Sequence, residues 1–134
     1  MFLTGATGFV GSHVARALLA RGCNVLALIR AGSDQQRIGD INGHLSLVTG
    51  DCATVPASAW QGIDCLVHLA WDVTPPEYQQ ADHNLDDLKT TLDLFRMAAH
   101  HGCRRIVGLG TCSEYAAGSM PLSEDTSLQP ATLY

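Results

Sequence analysis

Thr4-Gly5-Ala6-Thr7-Gly8-Phe9-Val10-Gly11-Ser12-His13 is the stretch that decides the fold. Its glycines recur at i, i+3 and i+6, between a short apolar strand signal, Phe2-Leu3, and a segment with helical periodicity at Val14, Ala17 and Leu18. A strand that turns sharply into a helix suits Gly5, a backbone that must approach a phosphate suits Gly8, and a helix packed close to the strand suits Gly11. The helix N-terminus then offers unpaired N–H groups and a positive dipole end to an anion. The pattern predicts a cradle for a dinucleotide pyrophosphate, with Gly5, Thr7, Gly8, Phe9, Val10 and Gly11 as cofactor-binding residues. A purely structural turn fits the same glycines. A P-loop does not, because no Lys-Ser or Lys-Thr pair follows them.

The 134 residues are one domain's worth and can bury a real core. With 46% hydrophobic and 16% charged residues, the composition suits a compact globule rather than a disordered chain. A net charge of −5 and the lack of a basic stripe argue against nucleic acid as a partner. No apolar run approaches the roughly 20 residues needed to span a bilayer, and the first residues lack the regions of a secretion signal, so no membrane association and a cytoplasmic location are expected. Cys23, Cys52, Cys65, Cys103 and Cys112 are odd in number and form no C-x-x-C pair, which reads as buried free thiols rather than a disulfide framework or zinc site. No metal site is expected. Adjacent His100 and His101 cannot share a helix face and fit a helix C-terminus.

Strand-like and helix-like stretches alternate, which favours an α/β fold with a doubly wound parallel sheet. Strands are expected near Phe2–Thr4, Asn24–Ile29, Leu45–Val48, Cys65–Leu69 and Arg105–Leu109, each short and apolar as a strand buried on both faces should be. Helices are expected over Phe9–Arg21, stopped by Gly22, and over about Glu77–His101, stopped by Gly102; Ala57–Trp60 can form one turn. In the second helix Leu85, Leu88, Leu92, Phe95 and Ala99 form the face expected to cover the sheet. The implied strand order is 3-2-1-4-5, with the cofactor across the switch point between strands 1 and 4.

At the end of the second strand an acidic residue would bind the adenosine ribose hydroxyls, whereas an arginine can pair with a 2′-phosphate. Arg30 occupies that place, so the cofactor reading is NADP or NAD, leaning towards NADP; Asp34 could still reach the ribose.

The T-G-x-x-G-x-x-G spacing resembles the extended, epimerase/dehydratase-like branch of the short-chain dehydrogenase/reductase superfamily. That resemblance covers the whole chain but only the front part of a typical member. It implies a truncated Rossmann-like domain over 1–134, incomplete at its C-terminus, without the later strands and substrate domain. Thr49-Gly50-Asp51-Cys52 resembles the family's G-D element, in which the carboxylate accepts from the adenine amino group, though a Gly-Asp turn looks the same in isolation. Leu66-Val67-His68-Leu69-Ala70-Trp71 is similar to V-x-H-L-A-A beside the cofactor, with Leu69 and Ala70 as contacts. Trp71 replaces a small residue there, either narrowing the nicotinamide side or simply packing, and His68 reads as structural. Asn84 lies about one helical turn early relative to the family's helix Asn.

Gly110-Thr111-Cys112-Ser113-Glu114-Tyr115 resembles S-S-x-x-V-Y-G, which implies Thr111 as the catalytic hydroxyl that orients the substrate oxygen, with Ser113 as the alternative. Tyr134 matches the tyrosine of Y-x-x-x-K, the general acid/base. A phenol's unperturbed pKa near 10 calls for nearby positive charge, which the family draws from a lysine four residues on. The only lysine here is Lys89, on another element. The resemblance implies the cofactor-binding part of an NAD(P)-dependent oxidoreductase, epimerase or dehydratase, transferring hydride on a secondary alcohol or ketone of a nucleotide sugar or similar small molecule. The chain alone is expected to turn over poorly. A non-catalytic NAD(P)-binding or sensing domain is the alternative, a homodimer through the helix near 77–101 is the expected assembly, and a partner covering the fifth strand is a third reading.

Overall fold

The computed structural model describes residues 1–74, 77–116, 118 and 121–134. Five strands, β1 (Phe2–Thr4), β2 (Leu26–Ile29), β3 (Ser46–Thr49), β4 (Cys65–His68) and β5 (Arg105–Gly108), pair in parallel in the order β3-β2-β1-β4-β5. The register aligns Phe2 with Leu26 and with Leu66, and Cys65 with Arg105. The order reverses beside β1, so the C-terminal ends of β1 and β4 diverge around a crevice, where open α/β sheets bind ligands.

Alternation along β1 sends Leu3 and Phe2 to opposite faces. Leu3, Ala27, Ile38 and Val67 meet Ala15 of α1 (Phe9–Ala20) on one face; Phe2, Leu28, Trp60 and Leu66 meet Leu94 and Ala98 of α2 (His83–His100) on the other. Leu94 is fully buried, which contributes about 1.5–3 kcal/mol towards docking α2. Trp60 stacks on Phe2 with ring centroids 4.7 Å apart, and His101, the C-cap of α2, lies parallel to Trp60 at 6.2 Å. Each helix ends in a Schellman motif, with Cys23 N–H donating to Leu18 O and Cys103 N–H to Ala98 O.

Four expectations are corrected. The second helix begins at His83, because Tyr78–Gln80 form a separate 3₁₀ turn and Ala81 is extended before the Asp82 cap. Its buried face is Asn84, Leu94 and Ala98, whereas Leu85 and Leu92 are 63% and 45% exposed and Ala99 is exposed too. The strands are not all buried on both faces: β3 and β5 are edge strands, and every residue of β5 is exposed. The cysteines are free, but only Cys65 is buried, and Cys112 is exposed. Among the described residues no helix is long and apolar enough to cross a membrane, and no group of three His, Cys, Asp or Glu could hold a metal ion.

Candidate active site

The β1–α1 turn is as tight as its glycines imply. Gly5 has φ +72°, and a Cβ there would lie 2.8 Å from Leu69 C. At Gly11 a Cβ would stand 2.0 Å from Gly5 O, so α1 leaves the sheet with backbone against backbone. Gly8 differs. It is the helix N-cap with an ordinary φ of −75°, and the only atom near a Cβ would be Gly5 O at 3.2 Å. A side chain at Gly8 is therefore tolerable to the chain but would fill the cradle. The first intrahelical bond is Ser12 N–H to Gly8 O at 3.0 Å, which leaves the N–H groups of Phe9, Val10 and Gly11 without helical partners. No acidic residue occupies the first turn to compete for an anion.

The crevice opens into a cavity of about 1160 Å³ lined by this turn, by the ends of β1, β2, β4 and β5, by Gly50, Asp51 and Cys52 after β3, and by α2. The Thr4 hydroxyl holds its inner wall together. It accepts from the Leu69 and Ala70 N–H groups at 3.2 and 3.3 Å and lies 2.8 Å from His68 Nδ1. With both lone pairs engaged, Thr4 must give its proton to Nδ1, so the His68 proton sits on Nε2 and is donated to Thr91 Oγ1 at 3.0 Å. Burial pushes the His68 pKa down, in keeping with a neutral ring, while the Asp87 carboxylate opposes that shift. These bonds tie His68 to β1 and α2, which fits the structural reading of this residue.

Beyond the ends of β2 and β3, where adenosine is expected, Arg30, Ser33, Gly50, Asp51 and Cys52 line the cavity. Arg30 is exposed and is the one Lys or Arg among the described lining residues. Asp51 Oδ1 accepts from Ala53 N–H at 2.9 Å, which fits the plain turn reading as well as a ligand role. Asp34 does not line the cavity; its Oδ1 accepts from Gln36 N–H at 2.8 Å, so its carboxylate is spent on the turn. Burial pushes the Cys52 thiol up to about 11, which makes it an apolar contact rather than a nucleophile.

At the opposite end lie Thr111 and Tyr134. Thr111 Oγ1 accepts from Ser113 N–H at 3.2 Å and keeps its proton free to donate. Ser113 points elsewhere, accepting from Gln79 Nε2 at 3.3 Å, and does not line the cavity. The terminal segment reaches the site by folding back: Ala116 N–H donates to Ser127 O and Gln129 N–H to Glu114 O, both at 2.8 Å. Lys89 is not at the site; it pairs with Asp93 at 2.7 Å on the outside of α2.

Sequence reading missed three supports here. Asn84 is 1% exposed, accepts from Trp71 Nε1 at 2.8 Å and donates to Tyr78 O at 2.6 Å. Asp87 Oδ2 accepts from Asp72 N–H at 3.1 Å, and Asp72 in turn accepts from the Thr74 hydroxyl and N–H, bonds that hold its carboxyl below its usual pKa. The Thr4 hydroxyl was legible only as a strand residue.

Residues 1–134 match the NAD dependent epimerase/dehydratase family. The chain belongs to that family. Among curated relatives it is 27% identical to a 4-hydroxy-2-methyl-3-oxo-4-farnesyl-3,4-dihydroquinoline-1-oxide ketoreductase of Stigmatella aurantiaca, over 94% of this chain and 37% of that protein. It is 25% identical to a dTDP-6-deoxy-L-talose 4-dehydrogenase (NAD(+)) of Aggregatibacter actinomycetemcomitans, over 100% of this chain and 49% of that one. A solved relative, MoeE5 in complex with UDP-glucuronic acid and NAD, superposes with a TM-score of 0.78 at 28% identity, covering 99% of this chain and 44% of its own. The chain thus spans less than half the length of these family members. Its five-stranded Rossmann-like sheet is the part shared with them.

Proposed function

We propose that this chain is the dinucleotide-binding part of an NAD(P)-dependent oxidoreductase, epimerase or dehydratase acting on a secondary alcohol or ketone. The observation that carries the reading is one continuous cavity with the Gly5–Gly11 cradle at its centre, Arg30 and Asp51 at one end, and Thr111 with Tyr134 at the other. The residues fit such a cofactor: at Gly8 the chain leaves open the space that any side chain would take. Gly5, Thr7, Gly8, Phe9, Val10 and Gly11 would hold the pyrophosphate, Asp51 and Cys52 the adenine side, and Leu69 and Ala70 the wall between the halves. Arg30, which no carboxylate pairs among the described residues, gives a 2′-phosphate a partner and favours NADP over NAD.

When bound, the dinucleotide supplies or accepts the hydride. The chain's own groups position the substrate and move the proton. Thr111 donates its hydroxyl proton to the substrate oxygen and so orients it, and Tyr134 gives or takes the proton on that oxygen. A nucleotide sugar and a farnesyl-bearing oxo-quinoline oxide both occur among the substrates named for the relatives, so their names leave the substrate open. The exposed Leu85 and Leu92 of α2 form an outer stripe through which we propose that two copies pair.

Calorimetric titration of the chain with NADP and with NAD tests the reading. NADP is expected to bind the more tightly, by about tenfold or more, and Arg30→Ala to erase the difference. Equal or tighter NAD binding overturns the role given to Arg30, and binding of neither overturns the function.

A further inference from the structure

Aromatic rings stand beside the polar groups at the Thr111 end of the cavity. Trp71 directly follows the Leu69–Ala70 wall, and its indole is locked, because Asn84 accepts its only polar hydrogen and spends its own amide on Tyr78 O. With that edge satisfied, the indole has only apolar surface to offer the cavity. Its ring meets the Tyr134 ring edge-on at 6.3 Å, and the Tyr78 ring meets Tyr134 edge-on at 4.8 Å. Val73 and Leu109, about half exposed, line the cavity nearby.

Asp72, Asp86, Asp87 and Glu114 line the cavity, and Arg30 is the one Lys or Arg on its described walls. Among the described walls a diphosphate-bearing substrate meets these carboxylates, while Arg30, the one described cation, is given to the dinucleotide by the proposed function. A flat, uncharged ketone or alcohol can lie against the Trp71 indole while its oxygen reaches Thr111 and Tyr134. Building on the proposed function, we infer that Trp71 is the substrate-discriminating residue, and that it selects a flat, apolar carbonyl or carbinol compound over a sugar nucleotide.

Equilibrium dialysis of the full chain with saturating NADP, using 2-acetonaphthone and UDP-glucose as probes, tests this. 2-Acetonaphthone is expected to bind at least about tenfold more tightly than UDP-glucose. Trp71→Ala should lose that advantage, while Trp71→Phe, which keeps a ring, should retain affinity within about threefold. Asn84→Leu, which frees the indole to swing, should fall between them. Tighter binding of UDP-glucose, or unchanged 2-acetonaphthone binding by Trp71→Ala, overturns the inference. Dinucleotide binding is titrated on the same samples: its loss in the parent chain defeats the proposed function itself, whereas its retention without 2-acetonaphthone binding defeats only the role of Trp71.

Discussion

Replacing Gly11 by alanine sets two effects of opposite sign against each other. Gly11 is the third residue of α1, and exchanging glycine for alanine inside a helix ordinarily stabilises by about 1 kcal/mol. In this fold the new Cβ would stand 2.0 Å from Gly5 O, 2.7 Å from Gly5 C and 3.0 Å from Ala6 Cα. Carbon and carbonyl oxygen settle at roughly 3.3 Å or more, so α1 must shift by more than about 1 Å. The obstacles are backbone atoms, and the turn cannot retreat because Gly5 itself abuts Leu69 and Ala70. Overpacking costs about 1–3 kcal/mol and sometimes more, and a rigid obstacle places this case at the top of that range. The net expectation is a loss of about 2 kcal/mol, or roughly 8 °C in Tm for a domain of this size. Gly8→Ala is the control. Its Cβ meets only Gly5 O at 3.2 Å, and alanine as a poorer N-cap costs less than about 1 kcal/mol. Its effect should appear instead as at least a roughly tenfold loss of dinucleotide affinity, since the methyl group occupies the cradle. Thermal unfolding followed by circular dichroism, with calorimetric titration of the dinucleotide, separates the two. A Gly11→Ala chain as stable as the parent, or a Gly8→Ala chain that binds as well as the parent, refutes the reasoning.

Two further outcomes follow from the structure. Burial holds the folded His68 pKa below the usual value of about 6.5, so its contribution to stability is complete above that pH and is lost as pH falls from there towards the folded pKa, by up to about 1.4 kcal/mol per pH unit. Urea midpoints measured between pH 7 and pH 5 should therefore drop more in the parent than in His68→Gln, and parallel curves contradict the neutral-ring assignment. The pairing proposed through α2 predicts that the parent sediments as a dimer and that Leu85→Asp with Leu92→Asp sediments as a folded monomer; a monomeric parent refutes it.

Local chemistry alone determined much of this molecule. A glycine every third residue between a strand and a helix has few uses, because each glycine answers a steric demand that operates over a few ångströms, and the contacts at Gly5 and Gly11 are those demands. Five short apolar segments separated by helices or turns were enough for the sheet order, since chirality and short connections leave few alternatives. The helix stops at Gly22 and Gly102 were legible for the same local reason.

Long-range pairing decided the rest. Along α2, Leu85 and Leu92 face outward while Leu94 and Ala98 face the core. The inward face keeps Asn84 and Thr91 because Trp71 and His68, 13 and 23 residues away along the chain, satisfy them. No periodicity encodes that, since the energy of burying an amide depends on whether a partner arrives from another element. Asp34 and Ser113 fell out of the site on similar grounds, their side chains taken by Gln36 and Gln79. Resemblance to the family's motifs named Thr111 and Tyr134, but only the fold-back of the terminal segment along Glu114–Ala116 brings both to one cavity and sets the locked face of Trp71 beside them.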